Sequence, residues 1–278
     1  MSKIYVVVNT KGGVGKSTLS WHVLPALLSH LGKSFKIFEV DNNNISNIYE
    51  QSDIIKDNTK NLKTHDKNIA AEIIFETLTS TDDIIIDSGG GDDALQVIDI
   101  VKSVGQDVEV RWLIPINQNL AQLKNAIDTY QKIDDQSNTF FVLNGYRDLS
   151  QIENEFVFYF GNSNMNLQSI RSSLNIQMEF KVPFSNLFEL AELQNYTIGD
   201  LACIARELPK EKAKAFFFEK FSSNRSQFLK AWNDYQNSEL AGIVLERIFA
   251  DFLPFFDENP QISTHVSKKS TKVNKSAE

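Results

Sequence analysis

The sequence predicts a doubly wound α/β fold, a mostly parallel sheet flanked by helices, with a helical C-terminal extension. Three observations predict it. Strand-like and helix-like patterns alternate through the first two-thirds of the chain, the order that builds strand–helix–strand units. The runs Ile84-Ile85-Ile86 and Phe140-Phe141-Val142-Leu143 are apolar at every position, as strands covered on both faces should be. A glycine-rich turn separates the first strand pattern from the first helix pattern, and open α/β sheets bind ligands at such carboxyl ends of their strands.

The first strand spans residues 4–9 and begins with Ile4-Tyr5-Val6-Val7-Val8. A helix follows from Leu19, and Pro25 within it is expected to kink it or shorten its regular part, at a cost of about 3 kcal/mol if nothing relaxes. Further strands are expected at 35–40, 83–87, 108–116, 139–144 and 177–182. Residues 42–68 are rich in Asn, Asp, Lys and Ser and read as a long, mobile connection with some short helix. Lying just after the second strand, they form a candidate switch region. Ala94, Val97, Ile98 and Val101 recur at helical spacing, as do Leu120, Leu123, Ile127 and Tyr130. From Leu187 the chain turns helical through Leu190, Ala191 and Leu193, with a helix expected over 210–235 and a last one over 239–256, ending near Pro254. The expected division is residues 1–205 as the α/β domain, 206–258 as a helical extension packed on it, and 259–278 as a basic, disordered tail.

A chain of 278 residues with 42% hydrophobic content can bury a substantial core. Its apolar runs fall short of the ~18 residues of a membrane span, and its start lacks a signal-peptide pattern, so no membrane attachment is expected. The single cysteine, Cys203, excludes a disulfide within the chain and a cysteine-held cluster from one copy, and fits a reducing, cytoplasmic setting. The four histidines show no metal-ligand spacing. A net charge of −8 argues against a surface that binds nucleic acid everywhere; any DNA contact must come from a local basic patch and be salt-sensitive.

The chemistry concentrates in Thr10-Lys11-Gly12-Gly13-Val14-Gly15-Lys16-Ser17-Thr18. Strand, glycine turn, helix is the context of a phosphate-binding loop. Glycines let backbone N–H groups close around phosphate oxygens, and the helix N-terminus adds partial positive charge. Lys16 supplies a cation and Ser17 a hydroxyl for Mg²⁺. The common pattern wants Gly where Thr10 stands, and a second lysine, Lys11, opens the loop. This resembles the deviant Walker A motif of the ParA/MinD/nitrogenase-iron-protein group of P-loop ATPases. The resemblance covers roughly residues 3–205 and implies a P-loop NTPase fold, ATP with Mg²⁺, slow hydrolysis stimulated by a partner, and a homodimer formed with ATP. It implies that Gly12 through Thr18 hold the nucleotide, that Lys16 is catalytic, and that Lys11 reaches the partner copy's nucleotide.

Other sites follow from the same resemblance. Asp87, at the end of the 83–87 strand and before Ser88-Gly89-Gly90-Gly91, resembles a Walker B acid; the alternative is a helix cap. Asp41 stands where the family's water-orienting aspartate is found, although Glu39 precedes it and the usual Pro-Gln does not follow; the alternative is the start of a polar turn. Ser17, Asp41 and Asp87 are thus the candidate Mg²⁺ groups. Asn144 stands where the family reads the adenine edge, or begins an ordinary Asn-Gly turn, and Pro183 with Phe184 resembles the loop beside the base. Asn117-Gln118 reads as helix capping, the alternative being a contact to the switch or to a partner. Lys210, Lys212, Lys214, Lys220, Arg225 and Lys230 are candidate DNA contacts or simply a solvated face, and Phe216 to Phe218 read as core or interface. Together these imply a ParA-like switch in plasmid partition, stability or conjugative transfer, working with an adaptor or centromere-binding protein. A MinD-like positioning adaptor without DNA binding is the rival.

Overall fold

The computed structural model describes residues 2–42, 49–63, 68–104 and 108–256. Among the described residues seven strands, all parallel, form one sheet in the order β3-β2-β4-β1-β5-β6-β7. They are β1 (Lys3–Val7), β2 (Phe35–Val40), β3 (Thr59–Leu62), β4 (Asp83–Ser88), β5 (Glu109–Ile116), β6 (Thr139–Tyr146) and β7 (Glu179–Pro183). Chain order reverses on either side of β1, so the doubly wound reading holds, and the carboxyl ends of β1, β2 and β4 lie side by side.

Helices cover both faces. On one face α1 (Leu24–His30), α8 (Leu187–Leu193) and α9 (Ile198–Glu207) join the second half of the long α11 (Arg225–Phe256) over Tyr5, Val7, Ile37 and Ile85. On the other, α2 (Ile69–Thr79), α3 (Asp92–Val104) and α4 (Leu120–Ile133) pack on Ile4, Val6, Phe38 and Ile86, with the short α5 (Ile152–Glu155), α6 (Val157–Phe160) and α7 (Ile170–Ser173) beside them. The alternation along β1 explains the division, since Ile4 and Val6 enter one core and Tyr5 and Val7 the other. α10 (Lys210–Phe221) packs against α11.

Two expectations need correction. The 42–68 connection contains an edge strand, β3, whose Thr59, Lys60, Asn61 and Leu62 pair with Ile37 to Val40; its polar composition is that of a strand with a solvated edge. Within that connection, residues 43–48 and 64–67 lie outside the described residues, as does the 259–278 tail. The regular part of the first helix is short, Leu24–His30, with Pro25 in its first turn. A π-helical turn, Thr18–Val23, precedes it, with Leu24 N–H bonded to the Leu19 carbonyl five residues back. An α-helix would drive the proline ring into the Trp21 carbonyl, and the wider turn admits it at the start of α1. The helices expected at 210–235 and 239–256 are instead divided near Ser222, and α11 runs on for 32 residues. Phe216 and Phe218 are 48% and 66% exposed, which leaves the interface reading of the two.

Candidate nucleotide-binding site

The loop after β1 is shaped by its own polar groups. Asn9 donates to the Pro115 carbonyl at 2.9 Å and accepts from Lys11 N–H at 3.0 Å, tying the loop to β5. Gly91 N–H donates to the Thr10 carbonyl at 2.7 Å, tying it to the turn after β4. Gly13 and Gly15 take φ of +73° and +102°, a backbone region that side chains disfavour. A Cβ on Gly15 would lie 2.0 Å from the Asn144 amide nitrogen, so this glycine is required by both backbone and neighbour.

A cleft of about 940 Å³ opens over the carboxyl ends of the strands. Gly12, Gly13, Gly15, Lys16, Ser17 and Thr18 form its floor, and Glu39, Asp41 and Asp87 one wall. Asn144, Pro183 and Phe184 lie across from them. The structure therefore brings together in one cleft nearly all the residues singled out for nucleotide and metal. Val14 is buried and does not line the cleft. Lys11 is exposed and does not line the cleft.

Lys16 reaches back over its own loop to the Lys11 carbonyl at 3.2 Å. Burial pulls its ammonium below the ordinary lysine range, and the Asp87 and Asp41 carboxylates oppose that pull. Asp87 is buried, and burial pushes its pKa up to about 6. Against that, Ser20 Oγ donates to one carboxylate oxygen at 2.9 Å and the Trp21 indole N–H to the other at 2.7 Å. The Ser20 hydroxyl also lies 3.0 Å from the Lys16 carbonyl and has one proton for the two acceptors. Glu39 pairs in register with Asp87 across β2 and β4 and adds to the rise.

Among the described residues no three His, Cys, Asp or Glu side chains converge closely enough to cage a metal ion. The donors on the cleft wall, a Ser17 hydroxyl and the Asp41 and Asp87 carboxylates, are all oxygens. That set suits Mg²⁺, which keeps much of its water and takes phosphate oxygens alongside one or two protein groups.

Several residues of the site were not legible beforehand. Trp21 and Ser20 hold Asp87, which only the wide turn of the helix and the position of β4 make visible. Gln118 lines the cleft and donates to the Gly145 carbonyl at 3.1 Å, whereas Asn119 is the residue that caps α4, so capping by Asn117-Gln118 is corrected. Asn117 instead accepts from Asn119 N–H. Asn144 donates to the Val14 carbonyl at 3.1 Å, which aims its amide at the loop. Arg147 stands 5.4 Å from the Phe184 ring centre at the cleft mouth. The basic residues Lys210, Lys212, Lys214, Lys220, Arg225 and Lys230 are all exposed on α10 and the start of α11; Lys210 is paired with Glu239 at 2.9 Å, and Lys220 lies over the Phe216 and Phe221 rings.

A glycine loop between β1 and a helix, with a buried acid at the end of β4, defines a P-loop nucleotide-binding protein. Residues 5–251 match the family described as the CobQ/CobB/MinD/ParA nucleotide binding domain. The chain belongs to that family. Similar solved structures include the MinD cell division protein of Aquifex aeolicus, at 16% identity and a TM-score of 0.48, covering 74% of this chain and 90% of that one. They also include the septum site-determining protein MinD of Pyrococcus horikoshii OT3 complexed with Mg-ADP, at 15% identity and a TM-score of 0.43, covering 88% and 99%. A search of curated protein sequences finds no match. Among the described residues no helix is long and apolar enough to cross a membrane.

Proposed function

We propose that this protein is a slow ATP hydrolase that acts as a dimer switch, closing on ATP and Mg²⁺ and opening after hydrolysis. The observation that carries the reading is the meeting of Lys16, Ser17, Asp41 and Asp87 in one cleft while Lys11, from the same loop, stays outside it and exposed. The loop backbone and Lys16 bind the phosphates, and Ser17 with Asp87 holds the Mg²⁺ shell. Asp41 orients the attacking water. Lys11 is left free to reach a second copy's nucleotide, and Asn144 with Pro183 borders the base.

The cargo in this reading is DNA, held non-specifically through Lys212, Lys214, Lys220, Arg225 and Lys230, with Lys210 at the edge of the patch. The setting is cytoplasmic plasmid partition, stability or conjugative transfer, with an adaptor or centromere-binding protein as the stimulating partner. One observation favours the rival reading of a MinD-like positioning adaptor: Phe216 and Phe218 are exposed among those lysines, an arrangement suited to a protein partner. Binding to a non-specific duplex with ATP, ADP or no nucleotide, with molecular mass followed in parallel, tests both. ATP-dependent dimers that bind DNA and release it with salt support the partition switch. ATP-dependent dimers that ignore DNA favour the adaptor. Lys11→Ala is expected to keep nucleotide affinity and stay monomeric with ATP, and a normal ATP dimer in that variant sinks the trans role of Lys11.

A further inference from the structure

Trp21 sits behind the cleft, between the acid Asp87 and Tyr49. Its indole N–H donates to Asp87 at 2.7 Å, while its ring stacks on Tyr49 with centroids 5.2 Å apart and planes 15° apart. Tyr49 is the first described residue after 43–48, the segment that follows Asp41 and Asn42. Tyr49 is held in turn: its hydroxyl lies 3.2 Å from His22 Nε2, and His22 Nδ1 accepts from Ile198 N–H at 3.1 Å. With Nδ1 accepting, the ring proton is on Nε2 and points at Tyr49. Trp21 and His22 are neighbours on the π-helical turn that begins immediately after Ser17. One stretch of helix thus carries a proposed Mg²⁺ hydroxyl, the donor to Asp87 and the partner of Tyr49.

We propose that Trp21 is a positioning residue: its indole N–H orients the Asp87 carboxylate for the Mg²⁺ shell, and its stack on Tyr49 holds the indole in place. The proposal rests on the nucleotide and Mg²⁺ reading above. With Ser20 on one oxygen and Trp21 on the other, the carboxylate cannot rotate freely, and each oxygen keeps one lone-pair direction for a metal-bound water. Ordinary core packing also requires a large flat ring at this place, but it does not require the N–H. Phenylalanine separates the two, since it retains the stack and loses the donor.

Trp21→Phe is therefore the test, with the fold checked by circular dichroism. ADP affinity in EDTA is expected to stay within about two-fold of wild type, because phosphate contacts come from the loop. The Mg²⁺ concentration needed for half-maximal tightening of ADP is expected to rise about ten-fold, the scale of one hydrogen bond to a charged group. Turnover should fall through kcat with KM for ATP nearly unchanged. The chain has three tryptophans, so ¹⁵N-indole labelling offers a second readout on the wild-type protein. The Trp21 indole resonance, assigned by its loss in Trp21→Phe or by elimination with Trp112→Phe and Trp232→Phe, is expected to shift when Mg²⁺ is added to the ADP complex. An unshifted Trp21 resonance in a sample that binds Mg-ADP, or unchanged Mg²⁺ dependence in a folded Trp21→Phe, overturns the role of Trp21 and leaves the nucleotide reading intact. Wild-type protein that binds no Mg-ADP by calorimetry overturns the nucleotide reading itself.

Discussion

The cleft and the α10–α11 turn are both rich in charged and aromatic side chains, and they use them in opposite ways. In the cleft the central charges are held: Asp87 between Ser20 and Trp21, and Lys16 against the Lys11 carbonyl. At the helical turn the lysines are exposed, Lys210 pairing with Glu239 and Lys220 lying over Phe216 at the surface, and Phe216 and Phe218 lie in the open beside them. The difference teaches that the same residue types encode a geometry when buried and only an opportunity when exposed. A buried ion left unheld costs several kcal/mol, so the fold must position its partners, whereas exposed groups make no such demand.

The largest expected effect comes from the body of the protein, where α11 joins the sheet. Phe252 is fully buried, stacked on Phe180 at 4.5 Å and packed against Phe256. Phe252→Ala is expected to cost about 3–5 kcal/mol in urea unfolding, the scale of a large cavity. A loss below about 1 kcal/mol would mean that the end of α11 is not part of the core. Next, within the cleft, Lys16→Ala should weaken ATP binding about ten- to hundred-fold by losing a charged hydrogen bond to phosphate, with stability little changed. Calorimetric titration with ATP measures it, and normal affinity would remove the cleft from nucleotide binding.

The buried titratable groups give a pH signature with opposed signs. Asp87 rises from 3.8 to about 6, so the native state binds its proton more tightly than the unfolded chain, and this contribution is full below pH 3.8 and lost as pH rises through 6. His22 is pushed down from 6.5 to about 3 by burial, so its contribution is full above pH 6.5 and lost as pH falls toward 3. Between these limits the two slopes nearly cancel. Asp87→Asn is expected to uncover the histidine, making the stability curve between pH 4 and 6 steeper than wild type by about 1.4 kcal/mol per pH unit. Parallel curves for the two proteins would show that Asp87 does not titrate there.

The smallest expected effect lies at the exposed turn. Phe218→Ser should change unfolding free energy by no more than about 0.5 kcal/mol, in contrast with Phe252. A loss above about 2 kcal/mol would mean that Phe218 is packed in solution, and the contrast between the two regions would collapse.

Much of the site was legible because it depends on short-range rules. Gly12 to Ser17 between a strand and a helix announces a phosphate loop, and Asp87 at the end of an apolar run announces an acid at the sheet's carboxyl edge. The edge strand β3 was hidden because Thr59-Lys60-Asn61-Leu62 has too little apolar pattern to separate it from a loop; only pairing with β2 makes it a strand. The continuity of α11 was hidden by polar residues in its first half, where Tyr235 and Ser238 meet α9 through hydrogen bonds to Leu208 and Ala205.

By itself the sequence determined the fold class, the phosphate loop and the strand ends that carry Asp41, Asp87 and Asn144, because burial period and turn chemistry are written within a few residues of one another. Only the tertiary structure decided that Trp21 and Ser20 hold Asp87, that His22 clamps Tyr49 against Ile198, and that Asn144 faces the Val14 carbonyl. The Asp87, Asn144 and Ile198 contacts join residues 66 to 176 positions apart, where no local pattern reaches. Hydrogen bonding is directional and short-ranged, so which polar groups become partners is settled when the sheet and its helices close, not by the pattern that makes each element.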